Sequence, residues 1–147
     1  MAGSSVADRI FEKLKLQPHP EVGWVRETFR DPQPQDGRGI STAIYYLLKA
    51  GERSHWHRID AAEIWHFYAG GPLAITISAT GHDAHAYRLG ANVLSGDSPQ
   101  VVVPANAWQT AEALGHWTLV GCTVAPAFDF ETFELAPEDW FPTPLKA

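Results

Sequence analysis

From residue 40 onward the chain is a succession of apolar segments of about five to nine residues, each bounded by Gly, Pro, Asn or Asp. They read ISTAIYYLL, SHWHRI, EIWHFYA, LAITIS, HAYRL, QVVVP, WQTAEA and WTLVGCTVA. Ile, Val, Tyr, Trp, Phe and Thr suit a pleated, half-buried surface. No helix-length segment separates the pieces, so βαβ alternation is excluded and an all-β sandwich or barrel is expected. WVRETF, from Trp24, adds a strand before this series. The one helical pattern comes first: Ile10, Phe11, Leu14 and Leu16 recur among charges between about Ala7 and Leu16, until Pro18-His19-Pro20 ends the run. DPQPQDGRG supplies loop chemistry and reads as the most flexible internal stretch, while the proline-rich tail PEDWFPTPLKA is expected to lie irregularly over the barrel surface.

A length of 147 residues suits one domain, 1–147, with its core at about 14–135. The net charge is −6 and the 11 Lys and Arg are scattered, so nucleic-acid binding and attraction to an anionic membrane are not expected. No apolar run reaches bilayer-spanning length, and the start lacks a leader-like apolar core, giving a cytoplasmic reading. Cys122 is the only cysteine; within an apolar run it reads as a buried, inert thiol rather than a nucleophile.

Side chains alternate along an extended strand, so His55 and His57 are expected on one face with Trp56 on the other. Glu63 opens the next segment, and the connection is short enough to bring its carboxylate alongside the two imidazoles. Such a set suits zinc, iron, nickel or manganese with positions left open for substrate. The same groups also fit a hydrogen-bonded cluster without metal, in which Glu63 and His57 transfer protons. Trp65 and Phe67 share the Glu63 face, as pocket wall or as core. Either Tyr45 or Tyr46 faces inward, with Tyr46 the candidate. Arg26, Glu27, Arg58 and Asp129 are lesser candidates, and His66 reads as structural. His82, His85 and His116 are expected to face solvent.

His-x-His followed by Glu63 and Gly70, then GDSPQVVVPANAWQ from Gly96 to Gln109, resembles the two motifs of the cupin superfamily. The likeness extends to a group of small single-domain cupins of unknown function through PHPEVGWVRETFR, STAIYYLL, SHWHRIDAAEIWHFYAGGPLAI, LGANVLSGDSPQVVVPANAWQTAE and LVGCTVAPAFDFETFEL. The resemblance implies a cupin-type double-stranded β-helix, a jelly-roll barrel with a short N-terminal helix, and a homodimer. It makes His55, His57, Glu63 and Gln109 the expected metal set, and adds Gln109 to Trp65, Phe67 and Tyr46 as the expected substrate contacts. It also marks His19 and Glu21 as a hallmark outside both motifs. Two positions depart from the superfamily pattern. Five residues separate His57 from Glu63, and Gln109 stands where the last histidine belongs. Asn106 replaces a glycine of the second motif, tolerably if its backbone is left-handed.

Three functions are compatible with these residues. The first is an enzyme acting on a small polar metabolite such as a sugar or organic acid, through a metal or through Glu63 and His57 alone, as in epimerases. The second is a non-catalytic metabolite-binding module. The third is a structural dimer.

Overall fold

The Ser5 hydroxyl accepts the Asp8 amide at 3.1 Å and starts α1 (Val6–Leu14), which Lys15 closes in the left-handed conformation. The computed structural model describes residues 5–32 and 37–145. Residues 33–36 of the loop read as most flexible lie outside it, as do both chain ends.

Along the described residues follow β1 (Gln17–Pro18), β2 (Trp24–Arg30), β3 (Thr42–Lys49), β4 (Arg53–Arg58) and β5 (Ala62–Gly70). Then come β6 (Leu73–Ser78), β7 (His85–Leu89), β8 (Gln100–Val103), β9 (Trp108–Ala113), β10 (Trp117–Ala125) and β11 (Glu134–Leu135). Each apolar segment of the sequence has become one strand. They form two antiparallel sheets, ordered β1-β2-β3-β10-β5-β8 and β11-β4-β9-β6-β7. From β3 to β6, and again from β7 to β10, the chain changes sheet at every step, which is a jelly roll. The sheets stay open instead of closing the expected barrel.

Alternation on β3 explains why ISTAIYYLL is apolar on both faces. Tyr46 and Leu48 enter the core between the sheets, whereas Leu47 points outward under α1 with Leu119, Ala7 and Leu16. Phe11 of the helix stacks on Trp24 with ring centroids 4.9 Å apart, and Lys49 lies over both rings while pairing with Asp8. Burying a side chain of leucine size contributes about 1.5–3 kcal/mol, so the helix is held by its apolar stripe more than by that ion pair. Two backbone positions matter for the site. Gly23 has φ +83°, and a Cβ there would meet the Leu47 carbonyl oxygen at 2.7 Å. Asn106 takes the left-handed conformation its motif requires, with φ 68°, and its amide donates to the Ile59 carbonyl.

Candidate small-molecule pocket

The site is set by an irregularity in β4. Arg53 and Ser54 face Glu112 and Ala111 of β9, but the next paired residue, His57, faces Gln109. Three steps on β4 match two on β9, which is a β-bulge. Ser54 and His57 are therefore both buried and directed inward, while His55 and Trp56 are turned out. This corrects the expectation that the two histidines share a face. His55 Nε2 is 2.8 Å from the Pro137 carbonyl, and the Trp56 ring meets Trp140 edge-on.

Glu21 holds the bulge. Its Oε1 accepts the His55 backbone N–H at 2.8 Å, so an amide that the bulge removes from the ladder is satisfied from the preceding loop. That loop is itself pinned: Tyr46 Oη donates to the Val22 carbonyl at 2.7 Å, and His19 Nδ1 accepts the Glu21 amide at 3.0 Å. Because Nδ1 accepts, a neutral His19 carries its proton on Nε2. Replacing Glu21 with Ala is expected to speed hydrogen exchange at the His55 amide about tenfold or more, whereas Glu21→Gln, which keeps an acceptor oxygen, should preserve protection. Equal exchange in wild type and both variants would remove Glu21 from this role.

Across the gap, β5 presents Glu63 and Trp65, beside Cys122 and Val124 of β10. Gln109 of β9 bridges the two sheets. Trp65 Nε1–H can only donate, and it donates to Gln109 Oε1 at 3.0 Å; the amide Nε2 then donates to Glu63 Oε1 at 2.9 Å. The Cys122 thiol lies on the same wall and lowers the Glu63 pKa slightly. Gln109 thus fills the place of the expected histidine as a structural strut.

These groups border a cavity of about 260 Å³ between the sheets. His57, Ser54, Ile59, Ile44, Tyr46 and Thr42 border it together with the Glu63 wall, His19 and Glu21 of the loop, and Phe128, Phe130 and Phe133 of the segment after β10. Of the sequence candidates, Glu63, His57, Trp65 and Tyr46 come together here, with Glu27 at the rim. His55, Phe67 and Gln109 do not border the cavity; Phe67 packs against the core. Arg58 pairs with Glu134 and lies over Trp108, Arg26 donates to the Leu14 carbonyl, and Asp129 caps the turn at Glu131. His66 is satisfied by Thr123 and Gln100, Tyr45 packs outward on Tyr68, and His82, His85 and His116 are exposed.

Sequence reasoning missed the phenylalanines. AFDFETFEL resembles a family hallmark, and its aromatic spacing is the available signal.

Burial moves the two central groups in opposite directions. Desolvation raises Glu63 to about 7, against the lowering effect of its Gln109 hydrogen bond and of the Cys122 thiol. Desolvation lowers His57 to about 4, against the raising effect of the His55 carbonyl. That carbonyl lies 2.8 Å from Nδ1, so the neutral ring carries its proton there and leaves Nε2 as an acceptor. The usual order of carboxylic acid and imidazolium is inverted. Between about pH 4 and pH 7 both groups are uncharged.

The expected divalent metal does not fit this arrangement. Among the described residues no group of three His, Cys, Asp or Glu is placed to hold a metal ion. His55 faces Pro137, and both ends of the Gln109 amide are committed.

A family profile described as Cupin superfamily (DUF985) matches residues 8–136. A structural-genomics protein from Shewanella oneidensis is similar at 35% identity and a TM-score of 0.84, covering 90% of this chain and 85% of its own. A hypothetical protein from Leishmania major is similar at 28% identity and a TM-score of 0.80, with 90% and 88% covered. Oxalate decarboxylase from Bacillus subtilis shares the fold alone, at 14% identity and a TM-score of 0.62 over 80% of this chain and 29% of its own. No curated protein matches the chain.

Proposed function

The chain belongs to the DUF985 family of the cupin superfamily, and on that premise we propose that its inter-sheet cavity binds a small carbonyl compound and moves a proton on it through Glu63, without a metal ion. The observation that carries this reading is the position of Glu63: a buried carboxyl on the wall of the cavity, held by Gln109, with a pKa raised to about 7. A general base works best when its pKa lies near the working pH. Ionised Glu63 would take a proton from the carbon next to the carbonyl, and the electron pair would pass to the carbonyl oxygen. His19 Nε2–H is the candidate donor to that oxygen. Return of the electron pair from the oxygen and of a proton from Glu63 to the same carbon would complete the exchange with no net change in atoms, and delivery to the opposite face of a reoriented enol would make it an epimerisation. His57, neutral through the working range, would accept a hydrogen bond and orient the substrate.

The metal-assisted version expected from the sequence loses support because its donors diverge. Solvent-deuterium exchange into a panel of small ketones and aldehydes, followed by NMR, tests the reading. Wild-type protein is expected to catalyse exchange, Glu63→Gln to lose about a hundredfold or more, and EDTA treatment to change nothing. Exchange that survives Glu63→Gln, or that disappears with chelation, would overturn it. Saturable binding with no exchange anywhere in the panel would leave a non-catalytic binding protein.

A further inference from the structure

Charge is distributed very unevenly around this cavity. Among the described residues that border it, Glu21, Glu27 and Glu63 are carboxyls and none is Lys or Arg. The guanidiniums closest in the chain are committed elsewhere: Arg30 to Glu27 and the Phe128 carbonyl, Arg38 to Asp60 and the Ala127 carbonyl, Arg58 to Glu134. An anion that left water for this site would meet like charges and no cation to replace its hydration.

Most of the neutral donors are committed as well, and the His19 Nε2–H is left to meet one ligand acceptor. Tyr46 Oη serves Val22, the Gln109 amide serves Glu63, and the His57 donor faces the His55 carbonyl. Two of the three carboxyls already have partners that a ligand cation would have to displace: Arg30 holds Glu27, and the His55 amide holds Glu21.

Apart from the Thr42 and Ser54 hydroxyls and the Cys122 thiol, the rest of the wall is hydrocarbon. Val25, Ile44, Trp65 and Val124 form its floor and sides. Phe128, Phe130 and Phe133 meet one another edge to face, with centroids 4.8 to 6.1 Å apart, and Phe130 is 61% exposed. An apolar cavity of about 150 Å³ accepts a benzene ring. The space here, about 260 Å³, takes one ring with a short side chain.

We infer that the cavity selects an uncharged one-ring compound with a single hydrogen-bonding end, and turns away carboxylates, phosphates and alkylammonium ions. This rests on the proposed use of the cavity as the binding site, and it names the class of ligand. The sugars and organic acids suggested by the sequence fall outside that class.

Three isosteric probes, benzyl alcohol, benzoate and benzylamine, test the inference on the full chain at pH 7. The Trp65 indole N–H resonance reports arrival in the cavity. Benzyl alcohol is expected to shift it saturably, and benzoate and benzylamine to bind at least tenfold more weakly. Benzoate or benzylamine binding as tightly as the alcohol would overturn the inference, as would three probes that leave the resonance unmoved at millimolar concentration. The ranking does not depend on turnover. Correct ranking without deuterium exchange into carbonyl compounds sinks only the proton-transfer reading, and exchange with reversed ranking sinks only the selection.

Discussion

Replacing Glu63 with Gln will stabilise the fold above neutral pH, by about 3 kcal/mol at full effect. The buried carboxyl of the folded protein keeps its proton to about pH 7, whereas the unfolded chain releases it near 4.5. Stability is therefore lost as the pH rises from about 4.5 to about 7, and the loss is complete above that. The gap between those values, at about 1.4 kcal/mol per pH unit, gives the stated magnitude. Gln has no proton to release and still offers an oxygen to the Gln109 amide. For a chain of this length the gain corresponds to roughly 10 °C in Tm at pH 8 and almost nothing at pH 4.5.

His57 works in the opposite direction. Its folded-state value, about 4, lies below the ordinary 6.5, so the unfolded chain takes up the proton first and stability is lost as the pH falls from 6.5 to 4. The two ramps overlap between about pH 4.5 and 6.5 with opposite slopes, and the wild-type protein is flat there with respect to this pair. Glu63→Gln will expose a slope of about 1.4 kcal/mol per pH unit, rising with pH, and His57→Gln a falling one. Other groups on the cavity wall titrate too: burial lowers His19 and raises Glu21, while Tyr46 and Cys122 are pushed upward and stay protonated through this window. They are common to wild type and variants and drop out of the difference. Urea unfolding at pH 5, 6, 7 and 8 measures it. A Glu63→Gln difference that does not change with pH would show that burial leaves this carboxyl unperturbed.

The strands were legible in the sequence because each is a short apolar run between turn residues, and that signal is local. The motif glycine replaced by Asn106 was legible for the same reason, since a left-handed turn leaves its mark on one residue. Strict alternation misled at His55. A bulge adds one residue to one strand and moves every side chain after it to the other face, yet nothing in SHWHR announces it; its cause, the Glu21 carboxylate, lies 34 positions away. Phe128 and Phe133 were invisible as a pocket wall for a similar reason, because only the path of the chain after β10 brings them over the cavity. Tyr46 could not be separated from Tyr45 until α1 was seen to cover the outer face of β3.

Gln109→Leu will cost about 3–5 kcal/mol, more than most single substitutions. Gln109 is 1% exposed and its amide links Trp65 to Glu63. Leucine of similar size leaves the Trp65 indole N–H without an acceptor, a penalty of about 1–3 kcal/mol, and removes a hydrogen bond to an ionisable carboxyl, about 1.5–3 kcal/mol. Added apolar burial offsets part of this sum. The deficit will grow with pH. The amide N–H lowers the Glu63 pKa, so without it the carboxyl rises above about 7 and ionisation in the fold becomes costlier. In the Glu63→Gln background that growth should vanish while the indole penalty persists, and a double-mutant cycle at pH 5 and pH 8 separates the two contributions. A Gln109→Leu protein as stable as wild type at both pH values would mean that the strut between the sheets is not what holds Glu63 in place.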